Sequence, residues 1–126
     1  MATHAFHDLV AMLRNVQRVG NPTVAEMREG WEKLAGQFPP AKDLHFEPVD
    51  ADGVPAEWSR APGTDESRVV LFFHGGGYNI GSMSSYRDFT GRISRACVAR
   101  VLSIGYRLAP EFPFPAAVDD AVTAYR

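Results

Sequence analysis

The 126-residue sequence contains a single cysteine, Cys97, and therefore cannot form a disulfide within the chain. Stable disulfides belong mainly to oxidising compartments, so this scarcity is typical of a protein kept in a reducing one. Cys97 falls on the apolar side of a predicted helix, and free cysteines are among the most frequently buried residues. We therefore expect Cys97 to be a small core residue rather than a nucleophile.

The sequence also lacks the long apolar runs and the basic excess that mark membrane and nucleic-acid proteins. No run approaches the ~20 apolar residues of a membrane span, and residues 1–8 have neither the basic start nor the apolar core of a signal peptide. The formal net charge is -2, which gives no electrostatic reason to expect nucleic acid. With 45% hydrophobic and 22% charged residues, the chain is predicted to be a globular cytoplasmic protein.

The most informative stretch joins an apolar run to three consecutive glycines. Residues 69–73 (Val-Val-Leu-Phe-Phe) have neither a helical nor an alternating period, which favours a short strand buried on both faces of a parallel sheet. Gly75, Gly76 and Gly77 then form a loop at the carboxyl end of this strand, where open α/β sheets place their ligands. Because glycines allow positive φ and close approach to peptide N–H groups, the loop suits an anion or a developing oxyanion. A tight strand-to-helix turn is the alternative.

Two phosphate-binding motifs do not fit these glycines. A phosphate loop needs G-x-x-x-x-G-K-[S/T], and no lysine follows. A dinucleotide fingerprint needs G-x-G-x-x-G, and Gly75, Gly77 and Gly81 do not have that spacing.

A second motif, at residues 106–117, reads Y-R-L-A-P-E-F-P-F-P-A-A. Together with His74-Gly75-Gly76-Gly77, it resembles the hormone-sensitive lipase family of α/β-hydrolases, the bacterial carboxylesterases that carry an HGGG loop. The resemblance covers the chain from about Leu44 to the end. It implies an α/β fold, the amino-terminal half of an α/β-hydrolase sheet with an N-terminal helical cap segment. It also implies hydrolysis of small apolar carboxylic esters without a cofactor or a metal.

The resemblance assigns roles to the residues of the glycine loop. The N–H groups of Gly76 and Gly77 would be oxyanion-hole donors, and Gly75 would shape the loop. His74 precedes the glycines, whereas the triad histidine comes last in chain order, so it is interpreted as a residue that braces the loop. Tyr78 would lie near the mouth of the substrate pocket.

The second motif is predicted to support the loop rather than to take part in catalysis. Arg107 and Glu111 are candidates for an ion pair beneath the active site. A pair between Arg107 and either Asp119 or Asp120 is the alternative. Gly105 stands where the family often has an aspartate, which removes any contact that the aspartate would make.

The chain has no nucleophile elbow, because none of its serines lies in a G-x-S-x-G sequence. In the family this elbow follows the helix after the second motif. We therefore expect this chain to lack the Ser-Asp-His triad, to be inactive alone and to need the carboxyl-terminal half of the enzyme as its partner. Exposed sheet edges would also favour association between copies. The other hypothesis is a non-catalytic ligand-binding protein on the same scaffold, as in the plant gibberellin receptors.

The segment before the first strand, residues 1–42, is predicted to be helical. An apolar stripe runs from Phe6 to Val19, and a second helix starts at the capping box formed by Thr23 and Glu26. By resemblance these helices form part of a cap over the active site, where Met27 and Trp31 have the better chance of approaching the substrate. Packing elsewhere in the protein is the alternative.

Residues 43–126 are predicted to form the amino-terminal part of the hydrolase core. Segments 44–49 and 54–59 around an Asp-Gly turn predict a hairpin, and their prolines place both strands at a sheet edge. His45 and Trp58 in this hairpin are interpreted as structural. A βαβ unit follows. Its helix is expected to start at a Ser84 or Ser85 cap, its next strand spans 101–104, and another helix starts at Pro115. The buried face of the first of these helices is predicted to carry Tyr86, Phe89, Ile93 and Cys97.

Overall fold

The structure is a computed structural model that describes residues 3–15 and 20–126. Its four strands form one mixed sheet in the order β1-β2-β4-β3. The predicted α/β fold class is confirmed. The elements are, in chain order, α1 His4–Asn15, α2 Val24–Ala35, β1 His45–Ala51, β2 Val54–Arg60, β3 Asp65–Phe73, α3 Arg87–Cys97, β4 Ala99–Ile104 and α4 Ala116–Tyr125.

The two N-terminal helices follow their sequence signals. At the start of α2, the Thr23 hydroxyl accepts from the Glu26 N–H at 3.2 Å and the Glu26 carboxylate accepts from the Thr23 N–H at 2.7 Å, which confirms the capping box. The apolar stripe of α1 is exposed at Phe6, Leu9 and Leu13. Its last predicted members, Val16 and Val19, lie outside the described residues.

The predicted hairpin is confirmed, but its predicted place at the sheet edge is wrong for β2. Asp52 and Gly53 take φ of 57° and 86°, as a two-residue turn with left-handed residues requires. Only β1 lies at the edge, because β2 pairs with β1 on one side and with β4 on the other. Proline lacks only the N–H group, and the Pro55 carbonyl still accepts from the Gly105 N–H at 2.8 Å.

The predicted βαβ unit is present, since β3 and β4 pair in parallel and α3 connects them. The expected burial of β3 on both faces is wrong for this chain. Val69 is 50% exposed and Phe73 is 41% exposed, because β3 has a neighbouring strand on one side only within the described residues. Strand β4 lies between β2 and β3, and its Val101 and Ile104 are fully buried.

Helices cover both faces of the sheet. Because side chains alternate along a strand, the face of β2 that carries Glu57 and Ser59 meets α3, where Glu57 pairs with Arg87 and Ser59 with Thr90. The opposite face meets α4 around a cluster of buried apolar residues. This cluster contains Val54, Ala56, Ile104 and Tyr106, with Ala117 and Ala124 of α4 packed beside them.

The predicted buried face of α3 is wrong at several positions. Phe89 and Cys97 are exposed, Ile93 is partly buried, and Tyr86 belongs to a 3₁₀ turn before the helix. The buried residues are instead Thr90, Gly91 and Ser94. Small side chains let the helix approach the sheet closely.

The hydroxyl groups of Thr90 and Ser94 form hydrogen bonds to neighbouring parts of the chain. The Ser94 hydroxyl accepts from the Ala61 N–H at 3.0 Å and donates to the Ala99 carbonyl at 2.7 Å. The expected serine cap of α3 is also wrong, since Ser85 bonds to the Ser82 N–H instead and the helix has no side-chain cap.

The interpretation of His45 and Trp58 in the hairpin as structural residues stays a prediction. His45 is exposed, and Trp58 lies in the sheet with the Arg100 guanidinium carbon 4.2 Å from its ring centroid. Within the described residues, no helix has the length and apolar character needed to cross a membrane.

Candidate functional site

The glycine loop leaves the carboxyl end of β3 in a left-handed conformation. Gly76, Gly77 and Tyr78 take φ of 135°, 60° and 63°. The loop closes on itself because the N–H groups of Asn79 and Ile80 both donate to the Gly76 carbonyl at 3.1 Å. A Cβ on Gly76 would lie 1.9 Å from the Ile80 carbonyl oxygen, so only glycine fits there.

The N–H groups of the three glycines, Gly75, Gly76 and Gly77, make no hydrogen bond within the part of the chain that the structure describes. All three residues line a cavity of about 660 Å³. Free backbone N–H groups beside an apolar space are the arrangement that stabilises negative charge developing on an oxygen.

The cavity lies between the exposed edge of β3 and one face of α4. Leu71 and Phe73 come from β3, and Tyr106 follows β4. Helix α4 contributes an almost wholly apolar stripe, namely Ala117, Val118, Ala121, Val122 and Tyr125. The cavity therefore suits an apolar group with one polar end directed at the glycine loop.

His74 sits beneath the glycine loop and is 4% exposed. Its ring stacks on Tyr106 with centroids 4.3 Å apart, and its Nδ1 lies 3.0 Å from the Gly75 carbonyl. A carbonyl only accepts, so Nδ1 carries the proton in this bond. Burial lowers the pKa of His74 because it disfavours the imidazolium. His74 thus acts on the loop as a neutral donor.

Tyr106 and Gly81 complete the packing around His74. The Tyr106 hydroxyl donates to the His74 carbonyl. A Cβ on Gly81 would lie 2.7 Å from the His74 Nδ1 atom. Only glycine therefore allows the backbone at residue 81 to pass this close to the imidazole.

The expected pair between Arg107 and Glu111 is wrong, and the alternative with Asp120 is correct. Two guanidinium nitrogens of Arg107 donate to the Asp120 carboxylate, the shorter bond being 2.7 Å, and the Arg107 N–H donates to it at 2.8 Å. The hydrogen bonds from Arg107 lower the pKa of Asp120. The pair ties the loop after β4 to α4, which forms one wall of the cavity.

Glu111 pairs instead with Arg28 of α2, a residue that sequence reasoning missed. Two nitrogens of Arg28 donate to the Glu111 carboxylate at 2.8 Å. These bonds lower the pKa of Glu111 to about 2. In the sequence Arg28 looks like an ordinary solvent-facing residue of an amphipathic helix, so no local signal identifies it.

The other predicted pocket residues fall in different places. Tyr78 lines the cavity and is 62% exposed, with its carbonyl accepting from the Ala109 N–H at 2.8 Å. Trp31 lines a separate groove of about 270 Å³, together with Phe38, Tyr86 and Phe89. Met27 is 36% exposed and lines neither space. The structure does not bring Met27 and Trp31 to the glycines, and their contact with a substrate stays a prediction.

The part of the chain that the structure describes contains no assembled catalytic dyad. Within it, no serine hydroxyl bonds to a histidine; Ser82 and Ser84 bond instead to Glu32. No cluster of His, Cys, Asp and Glu among the same residues could hold a metal ion. The site thus combines the backbone N–H groups of three glycines with an apolar wall.

Comparisons with known proteins identify the same fold. A family model described as the alpha/beta hydrolase fold matches residues 70–126. The chain is 42% identical to a crystallised esterase of the bacterial hormone-sensitive lipase family, with a TM-score of 0.91 over 100% of this chain and 43% of that one.

Two curated relatives have hydrolase names. An acetyl-hydrolase of Streptomyces hygroscopicus is 49% identical over 56% of this chain and 23% of its own length. The versiconal hemiacetal acetate esterase of Aspergillus parasiticus is 33% identical over 94% of this chain and 40% of its own length. The chain thus spans less than half of each of these relatives.

Proposed function

Because the chain belongs to the hormone-sensitive lipase-like family of the α/β-hydrolase fold, we propose that it supplies the oxyanion-hole loop of a serine carboxylesterase. The observation that carries the proposal is the left-handed glycine loop, whose free N–H groups line an apolar cavity. Such a loop has the donors needed for the tetrahedral intermediate of ester hydrolysis, and an apolar wall for the acyl or alcohol group.

In this proposal Gly76 and Gly77 donate to the substrate oxygen as it becomes an anion. A further donor comes from the residue after the nucleophilic serine. Loss of one such donor costs roughly 10²–10³ in kcat. Gly75 shapes the loop, neutral His74 braces it from below, and Tyr78 lies at the mouth of the pocket.

The nucleophile, the acid and the base are assigned to sequence outside residues 1–126, which is the carboxyl-terminal part of the enzyme. The chain alone is then inactive. Residues 1–42, with α1 and α2, belong to a cap over the site, and residues 43–126 form part of the core. The proposed substrates are small apolar esters, and the names of two relatives, an acetyl-hydrolase and an acetate esterase, favour a short acyl group.

The test uses natively purified protein that contains this chain. The intact mass of every polypeptide is measured, hydrolysis of a p-nitrophenyl ester is followed, and the sample is treated with a fluorophosphonate that labels activated serines. We expect turnover, and a labelled serine in a G-x-S-x-G peptide outside residues 1–126.

Two outcomes would refute the proposal. Label on a serine of this chain, in a sample where a 13.9 kDa species alone turns over the ester, would place the nucleophile within residues 1–126. Saturable ester binding without turnover or label would identify a ligand-binding protein on the same scaffold.

A further inference from the structure

Arg28 joins α2 to the glycine loop and to the loop after β4. Its Nε donates to the Asn79 carbonyl at 2.7 Å, and one Nη donates to the Ala109 carbonyl at 2.9 Å. Its remaining contacts are the two bonds to Glu111. A planar guanidinium with five N–H donors is the only side chain that can make this set of contacts at once.

The bond to Asn79 connects Arg28 to the glycine loop. Asn79 lies two residues after Gly77, and its N–H group donates to the Gly76 carbonyl at 3.1 Å. The guanidinium is therefore only two hydrogen bonds away from the Gly76–Gly77 peptide.

Ala109 holds the same loop through its backbone groups. Its carbonyl binds Arg28 and its N–H group donates to the Tyr78 carbonyl at 2.8 Å. Residues 78 and 79 are thus fixed by Arg28 directly and by Ala109, which Arg28 also holds.

The loop needs such an external restraint. Three successive residues, Gly76 to Tyr78, have positive φ, and two of them are glycines, which lose the most conformational freedom on ordering. Arg28 is not among the residues that line the cavity, so its influence on a bound ester is indirect.

We propose that Arg28 is a positioning residue that orients the N–H groups of Gly76 and Gly77 through the carbonyls of Asn79 and Ala109. The inference rests on the proposed function for its effect on catalysis, but not for its effect on the loop.

A second residue on the same face of α2 supports this inference. Glu32 lies one helical turn after Arg28 and accepts from the Ser82 hydroxyl at 2.7 Å. Helix α2 therefore contacts the chain on both sides of Gly81 with two charged side chains. Through these two side chains, α2 supports the segment that follows the three glycines.

The experiment compares Arg28→Met and Arg28→Lys with Arg95→Met in the active enzyme that contains this chain. Arg95 is a matched control because it donates to both oxygens of Asp43 at 2.9 Å and has no contact with the glycine loop. Hydrogen exchange of peptides covering residues 74–82 reports on loop order, and steady-state hydrolysis of a p-nitrophenyl ester separates kcat from KM.

For Arg28→Met we expect faster exchange in residues 74–82 and a kcat reduced by roughly 10- to 100-fold with KM within about twofold, part of the 10²–10³ that one lost donor costs. Lysine can replace the charge but not the planar fork, so Arg28→Lys should recover only part of kcat. Arg95→Met should leave both measurements within about twofold of the wild type, as for an exposed ion pair.

Unchanged exchange in Arg28→Met would overturn the inference that Arg28 orders the loop. Faster exchange with unchanged kcat, or an effect confined to KM, would overturn its positioning role in catalysis. If the wild-type enzyme has no ester turnover, the proposed function fails by itself, and the exchange measurement still decides the role of Arg28.

Discussion

A methyl group added at Gly76 collides with the loop, whereas the same group at Gly77 meets open space. The Cβ at Gly76 would lie 1.9 Å from the Ile80 carbonyl oxygen, about 1.5 Å short of ordinary contact at 3.4 Å. At Gly77 no heavy atom lies within 4 Å of the added Cβ. The same substitution by alanine should therefore distort the loop at Gly76 but leave it in place at Gly77.

The structure sets the size of each effect. In Gly76→Ala the loop must open, which breaks the bonds from the Asn79 and Ile80 N–H groups and misdirects the donors. We expect kcat to fall by roughly 10²–10³, as when an oxyanion donor is removed. Gly77→Ala keeps both N–H groups and adds about 1 kcal/mol of strain from a left-handed alanine. Its kcat should stay within about tenfold of the wild type, since no donor is lost.

The assay is steady-state hydrolysis of a p-nitrophenyl ester by the active enzyme, with thermal unfolding measured in parallel. Gly63→Ala is the control for strain alone, because Gly63 has φ of 79° and open space around its Cβ, in a loop away from the site. Equal losses of kcat in Gly76→Ala and Gly77→Ala, at similar melting temperatures, would refute the assignment of the oxyanion hole to this geometry.

Three further predictions concern stability. Val98 ends α3 with φ of 50° and is 46% exposed. Val98→Gly should therefore relieve left-handed strain and raise the free energy of unfolding by about 1 kcal/mol. A lower urea midpoint for this variant would contradict the prediction. Arg107→Met leaves Asp120, which is 7% exposed, without its ion-pair partner. This variant should lower the melting temperature by roughly 5 °C, whereas Arg95→Met, at an exposed pair, should change it by less than about 2 °C. Equal losses would refute the claim that the more buried pair contributes more to stability. Burial lowers the pKa of His74 from 6.5. As the pH drops below 6.5, the unfolded state therefore binds the proton first, and the free energy of unfolding should fall. In His74→Gln, denaturant titrations should show a weaker dependence of this free energy on pH in that range, and an unchanged dependence would contradict the assignment.

Local sequence signals predicted most of the fold. The capping box of α2 and the Asp-Gly turn are each formed by neighbouring residues, so their outcome depends little on the rest of the molecule. Burial could not be predicted in the same way. The apolar run of β3 indicates a central strand, yet its exposure depends on which strands lie beside it. The apolar stripe of α3 was misleading because Thr90, Gly91 and Ser94 allow a closer contact with the sheet than large side chains would.

The candidate site divides along the same line. The glycine loop could be predicted because three consecutive glycines after an apolar strand directly indicate a backbone that needs positive φ. Arg28 was missed because it lies 83 positions from Glu111, and only the folded chain brings α2 against the loop after β4. Met27 and Trp31 depend in the same way on where α2 docks, which the amphipathic pattern of a helix does not specify.

The two tryptophans of the chain occupy different parts of the fold. Trp31 is on α2 with its ring centroid 6.1 Å from that of Tyr86, and Trp58 lies in the sheet against Arg100. The fluorescence of Trp31 therefore follows the docking of α2, and that of Trp58 follows the integrity of the sheet. Replacing each tryptophan in turn by phenylalanine would isolate the two signals and resolve whether α2 detaches before the sheet unfolds or together with it.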